Sequence, residues 1–265
     1  MLIAIPSKAR VTKQVTLANL PLELRRLVYL VVEADEAQAY SFLNQPLIIM
    51  KEGQRGTGAA RQAAVDFAQD KGIKKILMLD DDLTFAHRRI DDDPTKFRAA
   101  TDTAVLDCIT DVEKQLDNYA HVSIAAREGG NRRTEAYVDN IRALRALAFR
   151  VDILQTTGIR FDVAQVMEDF HVQLSLLLEG YAHRTVNWIV QNQGSSNAAG
   201  GCSTYRTMEV QHLAATSLAL RFPDFVRVVQ KTTKTAWGGQ TRSDVIISWK
   251  AAYERGIKKF RLRGC

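Results

Sequence analysis

The N-terminal third of the chain alternates between short apolar runs and polar segments. Residues 2–5, 27–32, 46–50 and 76–79 are almost continuously apolar and are bounded by charge or proline. Runs of this length predict strands buried on both faces, as in the parallel sheets of α/β proteins. Between them, residues 36–42 predict a short helix. The stretch that follows the third run carries helical spacing through Ala60, Ala64, Phe67 and Ala68 and is closed by Lys71 and Gly72. Val105, Ile109, Val112 and Leu116 mark an amphipathic helix over 104–118, followed by a strand at 122–126. Residues 137–140 and 143–151 fit helix or strand equally. The pattern then predicts a turn at Thr157, Gly158 and Ile159, a helix over 169–180, a strand at 185–191, a helix over 206–219 and a short strand at 225–229. The charge-rich stretch 85–100 reads as a mobile surface loop covering a site. The small, polar stretch 193–204 reads as a flexible loop. This alternation predicts an α/β fold.

The chemistry collects where strands end, and ligands of open α/β sheets bind beyond the carboxyl ends of the strands. Pro6, Ser7, Lys8 and Arg10 follow the first strand, and the hydroxyl and the two cations suit a phosphate or a nucleoside. A solvated basic turn has the same composition. Glu33 follows the second strand. Gly53, Gly56 and Gly58 precede a helix N-terminus, a favourable place for an anion, and Arg61 lies just inside that helix. The glycines match neither a Walker A loop nor a complete GxGxxG. The fourth strand runs into Asp80, Asp81 and Asp82. Three adjacent carboxylates repel one another, and a hard cation such as Mn²⁺ or Mg²⁺ relieves that repulsion. A charged loop with no ligand is the competing reading. Glu168 and Asp169 open the helix over 169–180, where they fit the helix dipole or supply a general base. His212 lies on the helix over 206–219.

A chain of 265 residues allows one large or two small domains, and 46% hydrophobic with 25% charged residues is an ordinary globular composition. We expect a single domain over 1–265, with a nucleotide-binding half at 1–120 and an acceptor half at 121–265. The net charge of +6 is exceeded within residues 221–265, which hold eleven basic residues against three acidic ones. Trp237, Trp249 and Tyr253 are interleaved there. This suits a nucleic-acid groove, or a cationic surface with its aromatics in the core. Cys108, Cys202 and Cys265 are odd in number and widely spaced, which argues against a disulfide framework or a structural zinc site and for a reducing, cytoplasmic setting. No apolar run approaches the length of a membrane span, and the N-terminal one is too short for a signal peptide.

In combination, the Pro-Ser-Lys-x-Arg turn, the Ala-Ala-Arg helix, the Leu-Asp-Asp-Asp strand end and the later Glu-Asp resemble the GT-A glycosyltransferases. That resemblance implies a Rossmann-like, mostly parallel central sheet flanked by helices. It also implies a DxD motif at Asp80–Asp82 that holds Mn²⁺ or Mg²⁺ on a nucleotide-sugar diphosphate. Asp80 and Asp82 are then candidate metal ligands, with Asp82 the first choice. His212 is a third, with His183 as its rival. Pro6, Ser7, Lys8, Arg10, Glu33, Gly56, Arg61, Asp80 and Asp81 line the donor side. Asp169 is the candidate base, with Glu168 beside it. The segments VMEDFHVQLSLLLEGY, SNAAGGCSTYRTMEVQH and WGGQTRSDVIISWKAAYERG are similar to bacteriophage glycosyltransferases associated with TET/JBP dioxygenases. This narrower resemblance implies a donor such as UDP-glucose, and an acceptor of 5-hydroxymethylated pyrimidine, such as 5-hydroxymethylcytosine, in phage DNA. The setting implied is the host cytoplasm, with no membrane partner. A glycan or protein acceptor, or a non-catalytic nucleic-acid-binding protein on the same scaffold, are the alternatives. The paired acidic motifs argue against the last.

Overall fold

The computed structural model describes residues 1–129, 132–194, 201, 205–232 and 239–263. The chain opens with β1 (Leu2–Pro6), α1 (Val15–Asn19), α2 (Leu22–Arg25), β2 (Val28–Val32), α3 (Ala37–Tyr40), β3 (Leu47–Ile49), α4 (Gly56–Asp70) and β4 (Lys75–Leu79). A hairpin of β5 (Leu83–Arg89) and β6 (Asp93–Ala99) leads to α5 (Asp102–Gln115), β7 (His121–Ala126), β8 (Tyr137–Asp139), β9 (Ala146–Arg150) and α6 (Val151–Thr157). Then come α7 (Glu168–Leu178), β10 (His183–Gln193), α8 (Met208–Arg221), β11 (Val226–Thr232), β12 (Thr241–Ile247) and α9 (Trp249–Arg263).

Among the described residues, one sheet has the order β3-β2-β1-β4-β9-β7-β10-β5-β6, with β8 on β10, and β11–β12 form a separate ribbon. The strands β1 to β4 are parallel. Strand β9 is inserted antiparallel between β4 and β7, and β10 is parallel to β7. The carboxyl ends of β1, β2, β4, β7 and β10 therefore open on one edge. Alternate residues of β1 show why its sequence is continuously apolar. Leu2 and Ala4 pack with Ala60, Ala64, Ala68, Val151, Leu154, Val172 and Leu176 on one side. Ile3 and Ile5 pack with Leu20, Leu24, Val105, Ile109 and Val112 on the other. A third cluster docks the C-terminal elements on α7, through Phe170, Leu174 and Leu177 against Ala215, Leu218, Phe222, Val226, Val245 and Ala252. Helix α7 is thus buried on two sides, by Val172 and Leu176 against the sheet and by Phe170, Leu174 and Leu177 against the C-terminal elements. No helix of the described residues is long and apolar enough to cross a membrane.

The stretch 85–100 departs from its expected form. It is the β5–β6 hairpin, which extends the sheet beyond β10. Its register places Arg88 inward. Arg88 is 2% exposed, donates to the Asn187 carbonyl at 2.7 Å and stacks over Phe97. Residues 137–139 and 146–150 resolve as strands, and Gly158, in the left-handed conformation, caps α6. The C-terminal aromatics divide. Trp249 lies edge-on to Phe170 with ring centroids 5.7 Å apart, so it serves the core. Trp237, Cys202, Cys265 and most of the stretch 193–204 lie outside the described residues.

Candidate active site

The strand ends converge on a cavity of about 280 Å³. Pro6 ends β1, and Ala9 takes a left-handed φ of 53°, beyond which Arg10 is buried against the aspartates. Arg10 pairs with Asp81 and, at 2.9 Å, with Asp82. Ser7 donates to Asp81 at 2.8 Å and shares a hydrogen bond with the Tyr40 hydroxyl at 3.0 Å. Burial pushes the Asp81 carboxyl up to about 6, against the pull of Arg10 and the Ser7 hydrogen bond. Glu33, after β2, pairs with Lys8 and accepts the Gly56 amide at 3.2 Å at the start of α4. That amide is therefore engaged by a carboxylate. Gly58 has a different cause: a Cβ there would meet the carbonyl oxygens of Ala164 at 2.4 Å and Phe161 at 2.8 Å.

Arg61, 4% exposed, links the two acidic motifs, donating to Asp80 at 2.8 Å and to Glu168 at 2.7 Å. Glu168 points inward, and burial pushes its carboxyl up to about 7, opposed by Arg61 and reinforced by Asp169. Asp169 also lines the cavity and accepts the Phe170 amide at 2.9 Å. The candidate donor-side residues Pro6, Ser7, Lys8, Arg10, Glu33, Gly56, Arg61, Asp80 and Asp81 line this same cavity, as does Asp82.

Asp82 is the carboxylate with an unsatisfied oxygen. Its Oδ2 accepts from Arg10 and from Gln193 at 2.9 Å, whereas its Oδ1 is buried with no hydrogen-bond partner among the described residues. A buried carboxylate oxygen without a donor is costly, and a divalent ion satisfies it. Among the described residues no three His, Cys, Asp or Glu side chains converge on one metal position. An ion here would therefore take most of its ligands from phosphate oxygens and water, the common habit of Mg²⁺. The histidines stand elsewhere. His212 is exposed, its Nδ1 lies 2.9 Å from the Ser243 hydroxyl, and it does not line the cavity. His183 is buried between Ser123 and Gln173 and beside the His121 ring.

Several lining residues carry no motif. Arg142 stacks over Phe170 at 4.8 Å, and its loop is held by Gln173, which bonds the Ile141 carbonyl and the Ala143 amide. Arg145 pairs with Glu128, and its carbonyl accepts the Asp80 amide at 2.8 Å. The C-terminal elements add Tyr205, Arg206, Gln211, Arg242 and Asp244. The Tyr205 hydroxyl meets the Thr57 amide at 2.9 Å, at the first turn of α4. Alternating carboxylates and cations around one cleft, with one unsatisfied carboxylate oxygen, suit a polyanionic ligand held with a metal ion.

Comparison with known proteins agrees with this architecture. A relative, the beta-glucosyl-HMC-alpha-glucosyl-transferase of Enterobacteria phage T6, is 25% identical over 238 residues, covering 84% of this chain and 81% of its own. The fold is similar to that of the mannosyltransferase PcManGT from Pyrobaculum calidifontis, solved with GDP-Man and Mn²⁺, at a TM-score of 0.52. That match has 17% identity and covers 83% of this chain and 64% of that one. The profile of the TET-Associated Glycosyltransferase family matches residues 1–201, which include every strand of the main sheet. The chain is a glycosyltransferase of GT-A type and belongs to the TET-associated glycosyltransferase family.

Proposed function

We propose that the chain transfers a hexose from a nucleotide sugar, UDP-glucose or a close analogue, to a hydroxymethylated pyrimidine in DNA, with Mn²⁺ or Mg²⁺ at Asp82. The observation that carries this reading is the unsatisfied Asp82 Oδ1 in a cleft that also holds Asp169. Asp82 would hold a divalent cation there, and the chemistry that ion would supply is neutralisation of charge on the diphosphate leaving group. Lys8 and Arg10, each engaged by carboxylates, are the donor-side cations within reach of phosphate oxygens. Glu33 is suited to the nucleoside. In an inverting transfer Asp169 accepts the proton of the acceptor hydroxyl as that oxygen bonds the anomeric carbon and the bond to the diphosphate breaks; in a retaining transfer it orients the acceptor instead. Glu168, held by Arg61, fixes the turn that presents Asp169. In duplex DNA the target base must leave the stack to reach such a cleft. A phage gene product of this kind works in the host cytoplasm.

The name of the T6 relative favours a second acceptor, a 5-hydroxymethylcytosine that already carries glucose. One experiment addresses both. The protein is incubated with Mn²⁺, labelled UDP-sugars and DNA containing either 5-hydroxymethylcytosine or its glucosylated form, then the DNA is digested to nucleosides for mass spectrometry. One added hexose on either substrate is expected and identifies the acceptor. No hexose on any hydroxymethylated or glucosylated pyrimidine overturns the DNA reading.

A further inference from the structure

A second cavity, of about 290 Å³, lies behind the Glu168–Asp169 turn, between the segment 163–167 and α8. Val163, Val166, Leu213 and Leu218 make it largely apolar, and Val163 and Leu213 are among the exposed large hydrophobics of the chain. His171 of α7 lines it at 4% exposure. Its ring lies 5.7 Å from that of Phe222, and neither nitrogen has a hydrogen-bond partner among the described residues. Burial, aided by Arg221, pushes this imidazole down to about 4, so at neutral pH it presents one donor and one acceptor. Arg221, at the end of α8, also lines the cavity and has no ion-pair partner among the described residues. Neither nitrogen is among the polar atoms sealed from solvent, so the unpartnered edge of the imidazole is accessible from the cavity. Val166 and Met167 wall both this cavity and the catalytic cleft. Met167, immediately before Glu168, holds a left-handed φ of 64°.

We propose that this second cavity binds a nucleobase joined to a phosphate, with the ring among Val163, Val166, Leu213 and Leu218, the base edge on His171 and the phosphate on Arg221. The shared wall gives one source of this ligand: the nucleotide next to the target in the acceptor strand. That source rests on the DNA reading. A free nucleotide has the same chemistry and is the other source.

The test uses the full chain with UDP saturating the catalytic cleft. Deoxycytidine monophosphate and a short single-stranded oligonucleotide are titrated separately while the ¹⁵N-labelled histidine side chains are followed by NMR. The His171 resonance is expected to shift with at least one probe. Ser217→Trp, which fills the cavity mouth from an exposed position, and Arg221→Gln are each expected to weaken that binding about tenfold or more. A response to the oligonucleotide alone assigns the strand, and a response to the mononucleotide alone assigns a free nucleotide. No movement of His171 with either probe, or full binding by Ser217→Trp, overturns the proposal. Mononucleotide binding in a protein that glycosylates no DNA sinks the DNA reading and leaves the cavity standing. Active transfer with a silent His171 does the reverse.

Discussion

Asp82 and Asp169 face the cleft from two elements far apart in sequence, so each can be removed without emptying the core. Asp82→Ala is expected to lower kcat about a hundredfold or more in a chain that still folds, because the several kcal/mol of charge stabilisation expected of the metal are lost, and to lower the thermal midpoint through loss of the Arg10 and Gln193 hydrogen bonds. An active Asp82→Ala enzyme would remove the metal assignment. Asp169→Asn keeps the shape and loses the proton acceptor, and a fall of about a hundredfold or more is expected. Near-normal turnover in that variant rules out the base. His121 illustrates a purely structural ionisable group. It stacks on Phe149 with ring centroids 4.1 Å apart, and burial pushes it down to about 4 from 6.5. The folded chain therefore binds fewer protons than the unfolded one between these values, and the His121 contribution, full above pH 6.5, is lost as pH falls through 4. Glu168 acts in the opposite sense, its folded carboxyl holding a proton up to about 7, so the raw pH profile mixes the two. The difference between native protein and His121→Gln isolates the histidine. Their stability gap, from denaturant midpoints, is expected to narrow by roughly 3 kcal/mol between pH 7 and pH 4. A constant gap would mean that His121 titrates normally.

Helix α4 shows how tightly the packing beside the cleft is built. Alanine at position 58 gains about 1 kcal/mol in helix propensity, but its Cβ would enter the backbone oxygens of Ala164 and Phe161. Overpacking costs about 1–3 kcal/mol, and contacts of 2.4 and 2.8 Å with backbone, which no side-chain rotation relieves, belong in the upper part of that range, about 2–3 kcal/mol. Gly58→Ala is therefore expected to be less stable by about 1–2 kcal/mol, measured by denaturant melting, and equal stability would show that the 161–164 segment yields freely. The same elements mark what the sequence reveals. Strands β1, β2, β3 and β4 are legible because both faces are buried and the run is unbroken. The β5–β6 hairpin is hidden because Arg88 occupies an inward position, held by Asn187 and Phe97, which destroys the apolar–polar alternation. The donor-side residues are legible because they follow strands directly. Arg142, Arg242 and Asp244 are not, because a loop and a separate ribbon bring them to the cleft through tertiary packing, with no local spacing to signal it. The orphaned oxygen of Asp82 is likewise a property of the assembled cleft.

Across the molecule, charge is uneven. Arg227 on the ribbon and Lys250 and Lys258 on α9 have no ion-pair partner among the described residues, whereas Lys231, Arg255 and Lys259 are paired with Asp244, Asp224 and Glu179. If four or five such cations meet DNA phosphates, duplex affinity is expected to fall roughly a hundredfold or more between 50 and 200 mM salt. A flat salt response in a gel-shift titration would show that this surface does not hold DNA. The C-terminal elements reach the rest of the chain chiefly through α7, whose Val172 and Leu176 face the sheet while Phe170, Leu174 and Leu177 face outward. A helix with two separate apolar stripes is a mechanical gasket between two machines. Substitutions in the outer stripe can re-seat the part lying beyond residues 1–201 while the inner stripe keeps α7 in register on the sheet. If the elements beyond α7 hold the acceptor, as the proposed function has it, acceptor preference and sugar-nucleotide handling can diverge at different rates in one lineage, and the outer stripe together with the elements it carries becomes the unit to exchange when a new acceptor is grafted on.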